Sequence, residues 1–162
     1  METTLELFKE NMKFSAGHFT IFGPDKRERL HGHNFTVAVA ITSEVGEDGL
    51  VSDYGVLKRR LVEICDEWNE IFLLPGRSRH LHISEDDTHV VVTFAGEQIT
   101  FPKGDVLILP LVNVTLEELS RLFLEKVRGL LVETRHTGIR ALEVKVFSGP
   151  GQSAAATWTL AR

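Results

Sequence analysis

Residues 34–44, NFTVAVAITSE, constrain the fold most. They alternate apolar and polar and are rich in β-branched side chains, the pattern of a strand with one buried face. Just ahead of this run lie two histidines, in LHGHNF (30–35). Side chains at i and i+2 of a strand share a face. His31 and His33 therefore sit side by side, and Gly32 leaves the opposite face clear. The pair suits a metal ion; it also suits two hydrogen-bonded side chains at a strand start. A third histidine, His18, closes the strand-like MKFSAGH. If the two strands pair, His18 faces His31 and His33 across them. Three imidazoles on one sheet face would hold Zn²⁺, with a fourth position open for water or substrate. Such an open site is catalytic rather than structural in type.

The rest of the chain supplies the layers around that strand. Over 53–72 the apolar residues Val56, Leu57, Leu61, Ile64, Cys65 and Trp68 recur at helical spacing, with Ser52 or Asp53 placed to cap the start. HVVVTF (89–94) and QITF (98–101) read as a hairpin, and DVLILP (105–110) as a third short apolar run. A second helix covers 114–131, where Thr115 and Glu118 have the spacing of a capping box. Two strands, ALEVKVF (141–147) and AAATWTL (154–160), close the chain around SGPGQ. The order predicts one α+β domain over 1–162. Its antiparallel sheet carries helices on one face, and an inserted hairpin lies near 88–110 within a segment 76–112.

Charge and composition narrow the function classes. The net charge is −5, from 18 basic and 23 acidic residues, and no Lys/Arg-rich run occurs. Nucleic acid is excluded as an expected partner on that ground. No apolar run approaches the ~18–20 residues that cross a bilayer, and METTLELFKE is not built like a secretory signal. A cytoplasmic protein is expected. Cys65, the one cysteine, lies on the apolar stripe of the first helix and reads as a small buried hydrophobe. His80, His82, His89 and His136 read as solvated, and the charged, turn-like flanks in GRSRHLHISEDD set His80 and His82 well below the first pair.

Taken together, FSAGH, RLHGHNF, GLVSDYGVLK (49–58), NVTLEELS (113–120) and VKVFSGPGQSAAATW (144–158) resemble the 6-pyruvoyl-tetrahydropterin synthase family, which includes the 6-carboxy-tetrahydropterin synthases. The resemblance spans the chain except for 76–112. It implies a tunnelling fold, with a four-stranded antiparallel sheet and two helices, in subunits that join edge to edge, commonly as a homohexamer with active sites between subunits. It implies Zn²⁺ on His18, His31 and His33. The implied substrate is a reduced pterin, commonly 7,8-dihydroneopterin triphosphate, whose side chain is rearranged or cleaved by lyase chemistry.

The chain departs from that pattern at three positions. Arg27 stands where family members carry a cysteine ahead of the H-x-H. Asn69 and Glu70 stand where they carry an Asp-His pair. Ser148 stands where they carry a glutamate that anchors the pterin ring, and a hydroxyl cannot receive an aminopyrimidinone edge bidentately. Glu28, three residues before His31, is the expected base, with Asp25 behind it and Glu70 as a second proton carrier. Arg27 is a candidate phosphate ligand, and Thr115 and Ser148 are candidate substrate contacts. The usual family reaction is expected to be weak. The alternative is a zinc-containing pterin- or purine-binding homologue without turnover.

Overall fold

The computed structural model describes residues 2–51 and 53–160. The elements in chain order are β1 (Glu2–Leu7), β2 (Lys13–His18), β3 (His31–Glu44), α1 (Gly55–Glu67), β4 (Ile71–Pro75), β5 (His82–Glu85), β6 (His89–Phe94), β7 (Glu97–Pro102), β8 (Val106–Leu109), α2 (Leu116–Glu133), β9 (Ile139–Phe147) and β10 (Ser153–Thr159). The fold is α+β. An antiparallel core runs in the order β10-β9-β3-β2, and β1 continues the line of β2 by pairing with the far half of β3. No helix among the described residues is long and apolar enough to cross a membrane.

The alternation of β3 decides which way everything else faces. Phe35, Val37, Val39 and Ile41 are all buried. Their partners across the sheet are Phe14 on β2 and Val146, Val144 and Leu142 on β9, equally buried. This is the face covered by α1 and α2. Trp68 at the end of α1 closes the layer, with its ring 4.7 Å from Phe123 and 5.5 Å from Phe14. The opposite sheet face carries Thr36, Ala38, Ala40, Thr42, Glu143 and Lys145, small or polar residues, with Phe147 beside Thr36.

Three expectations need correction. The first helix ends at Glu67, not near 72, and its N-cap is Tyr54 with no side-chain cap. Asp53 instead accepts from the Gly55 N–H at 2.8 Å; Ser52 lies outside the described residues. After α1 the chain reverses through Glu70, whose φ of 57° is left-handed, and enters β4. That strand lies parallel to β2, and β8 lies parallel to β4. The main sheet thus extends beyond four strands, and it does so with short apolar parallel strands, whose sequences do not alternate. The hairpin β6–β7 forms as expected, through Ala95 and Gly96 at φ 47° and 81°, the primed-turn conformation that suits hairpin twist. It does not extend the main sheet. With β5 it makes a separate three-stranded sheet whose Val90, Val92 and Phe94 pack on Phe19, Ile21 and Leu74.

Candidate metal centre and its cleft

The three histidines meet because of strand register. His18 pairs directly with His31, and Ala16 pairs with His33. On β3 the parity that buries Phe35 and Val37 also turns His31 and His33 toward the helical side. The rings sit at the end of that layer, with centroids 4.6 to 5.2 Å apart. One nitrogen from each lies within 4.8 Å of the others.

Each outer nitrogen settles a tautomer. His18 Nδ1 donates to the Val114 carbonyl at 3.0 Å, and His31 Nδ1 donates to the Arg29 carbonyl at 2.8 Å. Both Nε2 atoms are then left with lone pairs facing inward. His18 Nε2 is buried and has no hydrogen-bond partner among the described residues. His31 Nε2 and His33 Nε2 are 3.1 Å apart. Two nitrogens on a tetrahedral zinc at 2.0–2.1 Å would be spaced about 3.3 Å. The donor set, the backbone carbonyls that orient it and the orphaned nitrogen therefore fit a divalent metal. Burial pushes the His18 imidazole below its usual pKa; the Val114 carbonyl opposes this and the two neighbouring histidines reinforce it. The ring is kept neutral, the form that ligates.

A cleft of about 430 Å³ opens over the histidines. Glu28, Thr115 and Ser148 all line it. Glu28 Oε2 accepts from the Thr20 N–H at 2.9 Å and lies 3.7 Å from His31 Nε2. Burial pushes this carboxyl up, but the Thr20 hydrogen bonds and the nearby histidines outweigh it and hold the group below the ordinary glutamate range. Thr115 caps α2, accepting from the Glu118 N–H. Glu117 and Gln152 also line the cleft. Sequence reasoning missed both, though Glu117 is within two residues of Thr115 on the first turn of a capped helix.

Two other candidates are elsewhere. Arg27 is turned away from the cleft. Its guanidinium lies over the rings of Phe19 and Phe94, donates to the Glu28 carbonyl at 2.9 Å and reaches Glu97 on β7 at 3.3 Å. Glu70 lines a different depression of about 380 Å³, on the far side of β2 and β3 with Ser15, Gly17, Gly32 and Asn34. Asp25 lines neither. Cys65 is fully buried, and burial together with Asp66 pushes its thiol up to about 12.

A helix-backed antiparallel sheet with three histidines at one end of its covered face defines a tunnelling-fold protein with a candidate metal centre. Comparison with known proteins agrees. A family model described as 6-pyruvoyl tetrahydropterin synthase matches residues 6–158, and the chain belongs to that family. A Methanocaldococcus jannaschii protein to which 6-carboxy-5,6,7,8-tetrahydropterin synthase activity is provisionally assigned is 28% identical over 144 residues, 88% of each chain. The 6-pyruvoyltetrahydropterin synthase of Plasmodium vivax, solved as a variant with its catalytic glutamate changed to alanine, superposes with a TM-score of 0.89 at 26% identity, covering 99% of both chains. The Plasmodium falciparum enzyme gives 0.87 at 25% identity, over 98% of this chain and 99% of that one.

Proposed function

We propose that this chain is a zinc-dependent lyase that acts on a reduced pterin, with specificity or chemistry shifted from the usual family reaction. The observation that carries the reading is the convergence of three histidine nitrogens and one ionised carboxylate in a single cleft. Bound zinc would supply Lewis-acid polarisation of a substrate side-chain oxygen, which acidifies the neighbouring C–H. The residues do the rest. His18 and His31 are fixed by backbone carbonyls, so the donor set is pre-organised. The Thr20 N–H holds Glu28 beside the histidines and keeps it ionised, ready to take a proton. Thr115 and Ser148 offer hydroxyls to a ring seated against the start of α2. A glutamate serves as a catalytic residue in the P. vivax relative, which supports a carboxylate base where this chain has no cysteine. By the same kinship we place the subunits in a symmetric homo-oligomer, a hexamer being the expected form.

One observation favours the binding-only alternative. Neither Asn69 nor Glu70 lines the cleft of its own chain, so Glu28 has no proton relay there. A single assay separates the two readings. The zinc-loaded protein is incubated with 7,8-dihydroneopterin triphosphate and products are followed by mass spectrometry. Weak turnover is expected, at least about tenfold below an ordinary family enzyme, since a lost base or relay costs ~10²–10⁴-fold. Glu28→Gln should abolish it and leave pterin binding intact. Turnover at the ordinary family level would overturn the claim of shifted chemistry. Binding with no product at all would favour the alternative.

A further inference from the structure

We propose that the groove formed by Arg77, Ser78, Arg79 and His80 beside the histidine cleft binds the phosphate chain of the substrate; this rests on the reading of the cleft as a pterin site. The cleft itself is lined by two carboxylates, Glu28 and Glu117, and by no lysine or arginine. A polyanionic side chain finds no guanidinium or ammonium partner there. The neighbouring groove, of about 650 Å³, reverses the sign: Arg77, Arg79 and His80 line it and no Asp or Glu does.

The two spaces are adjacent. Phe22 lines both. Asn113 in the groove wall precedes Val114, whose carbonyl holds His18. The wall is also fixed before any ligand arrives. Asn113 Nδ2 donates to the Ile21 carbonyl at 2.8 Å, and its Oδ1 accepts from the Ile21 N–H at 3.1 Å. The Arg77 N–H is bonded to the Leu111 carbonyl at 2.9 Å.

The guanidinium groups are available. Among the described residues neither Arg77 nor Arg79 pairs with a carboxylate, whereas Arg27, Arg60, Arg121 and Arg140 do. Arg79 uses only Nε, donating to His80 Nε2 at 3.4 Å, which leaves its terminal nitrogens to match phosphate oxygens bidentately. Arg27, which the sequence pattern suggests for phosphate, is committed to Glu97 and two aromatic rings. The groove supplies what that residue does not.

The test is calorimetric titration of the zinc-loaded protein with inorganic triphosphate, with a triphosphorylated dihydropterin and with the same pterin lacking phosphate. Both arginines are exposed, so Arg77→Ala/Arg79→Ala folds and keeps its metal. The double variant should weaken both phosphorylated ligands by about tenfold to a hundredfold and leave the unphosphorylated pterin unchanged. Lysine at both positions should restore part of the loss, and added salt should weaken the wild type more than the alanine variant. If the wild type does not bind triphosphate, or if the variant weakens all ligands equally or none, the proposal is overturned. Arginine-dependent binding of triphosphate with no binding of either pterin would uphold the groove as a phosphate site and overturn the pterin reading instead.

Discussion

His18 is the residue through which the cleft is tied to the fold. It is 6% exposed, its Nδ1 is committed to Val114, and its Nε2 faces the other two rings. His18→Ala, His31→Ala and His33→Ala should each reduce zinc affinity by more than the ~10–100-fold that loss of an outer partner costs. Metal analysis of the three purified variants checks this, and full zinc in all three would place the metal elsewhere. Cys65 offers a pH test remote from the site. Its thiol is pushed up to about 12 in the folded chain from an ordinary 9.0. An acid whose folded pKa is raised stabilises fully below the unfolded pKa, and that stability is lost as pH rises toward the folded one. Between pH 8 and 10 the wild type should therefore lose ~1.4 kcal/mol more than Cys65→Ala does. Urea midpoints at the two pH values measure it, and parallel slopes would refute it. At this scale the sequence was readable where a side chain's direction follows from strand parity, as for His31 and His33. It suggested phosphate for Arg27 and did not reveal its partners, because the rings of Phe19 and Phe94 that lie under that guanidinium come together only through the fold, with Phe94 far along the chain.

At the scale of elements, the site depends on one long strand and one helix start. β3 spans 14 residues, long enough to pair β2 at its histidine end and β1 at the other. The start of α2 then seats against the histidine end, since Val114 and the N-cap Thr115 are consecutive. Thr115→Ala should cost about 1 kcal/mol through the lost cap, or ~2–4 °C in Tm for a chain of this size. Thr115→Ser should retain most of it, and thermal melts of both variants decide. Glu118 does not complete a reciprocal box. It accepts from the Val112 N–H at 3.4 Å and from Arg121 in two bonds of 3.1 Å, pinning the segment that leads into the helix. Strict periodicity made β3, α1, α2 and the final hairpin legible. β4 was not, because FLLP continues an apolar helix stripe without a break that pattern alone reveals. The strand exists because Asn69 Oδ1 and the Glu70 N–H bond the backbone of Ser15 and turn the chain alongside β2. β5 was hidden likewise, since HISE is too short and too polar to alternate visibly.

For the whole molecule the main sheet has unpaired strand edges, among them β10 and β8 at its two ends and the outer side of β1, and one face without helices. β10 ends the sheet on one side with SAAATWT, a strand with no charge and no proline. β8 ends it on the other with VLIL, where Ile108 is 40% exposed. Edge strands that remain free in solution usually carry lysine, proline or a bulge as protection, because bare N–H and C=O groups recruit another strand. Among the described residues neither β10 nor β8 has such a guard, whereas β1 carries Glu2 and Glu6. Between its ends the face without helices, meanwhile, carries mainly alanine, threonine and charged residues on β3, β9 and β10, with Phe147 stacked on Phe8 at one margin. Its β3 and β9 centre is more polar than the helix-covered face and suits a wetted interior once edges join. Both features favour assembly through strand edges over stacking of faces. The chain is therefore expected to form a closed, symmetric homo-oligomer, and a hexamer of 18.2 kDa subunits would weigh about 109 kDa. Light scattering at micromolar concentration reads this directly. Ala155→Lys, which adds a charge to the β10 edge, should shift the distribution toward smaller species without removing zinc. A single species of about 18 kDa for the wild type would show that the edges stay unpaired, and edge-to-edge assembly would then have to be abandoned.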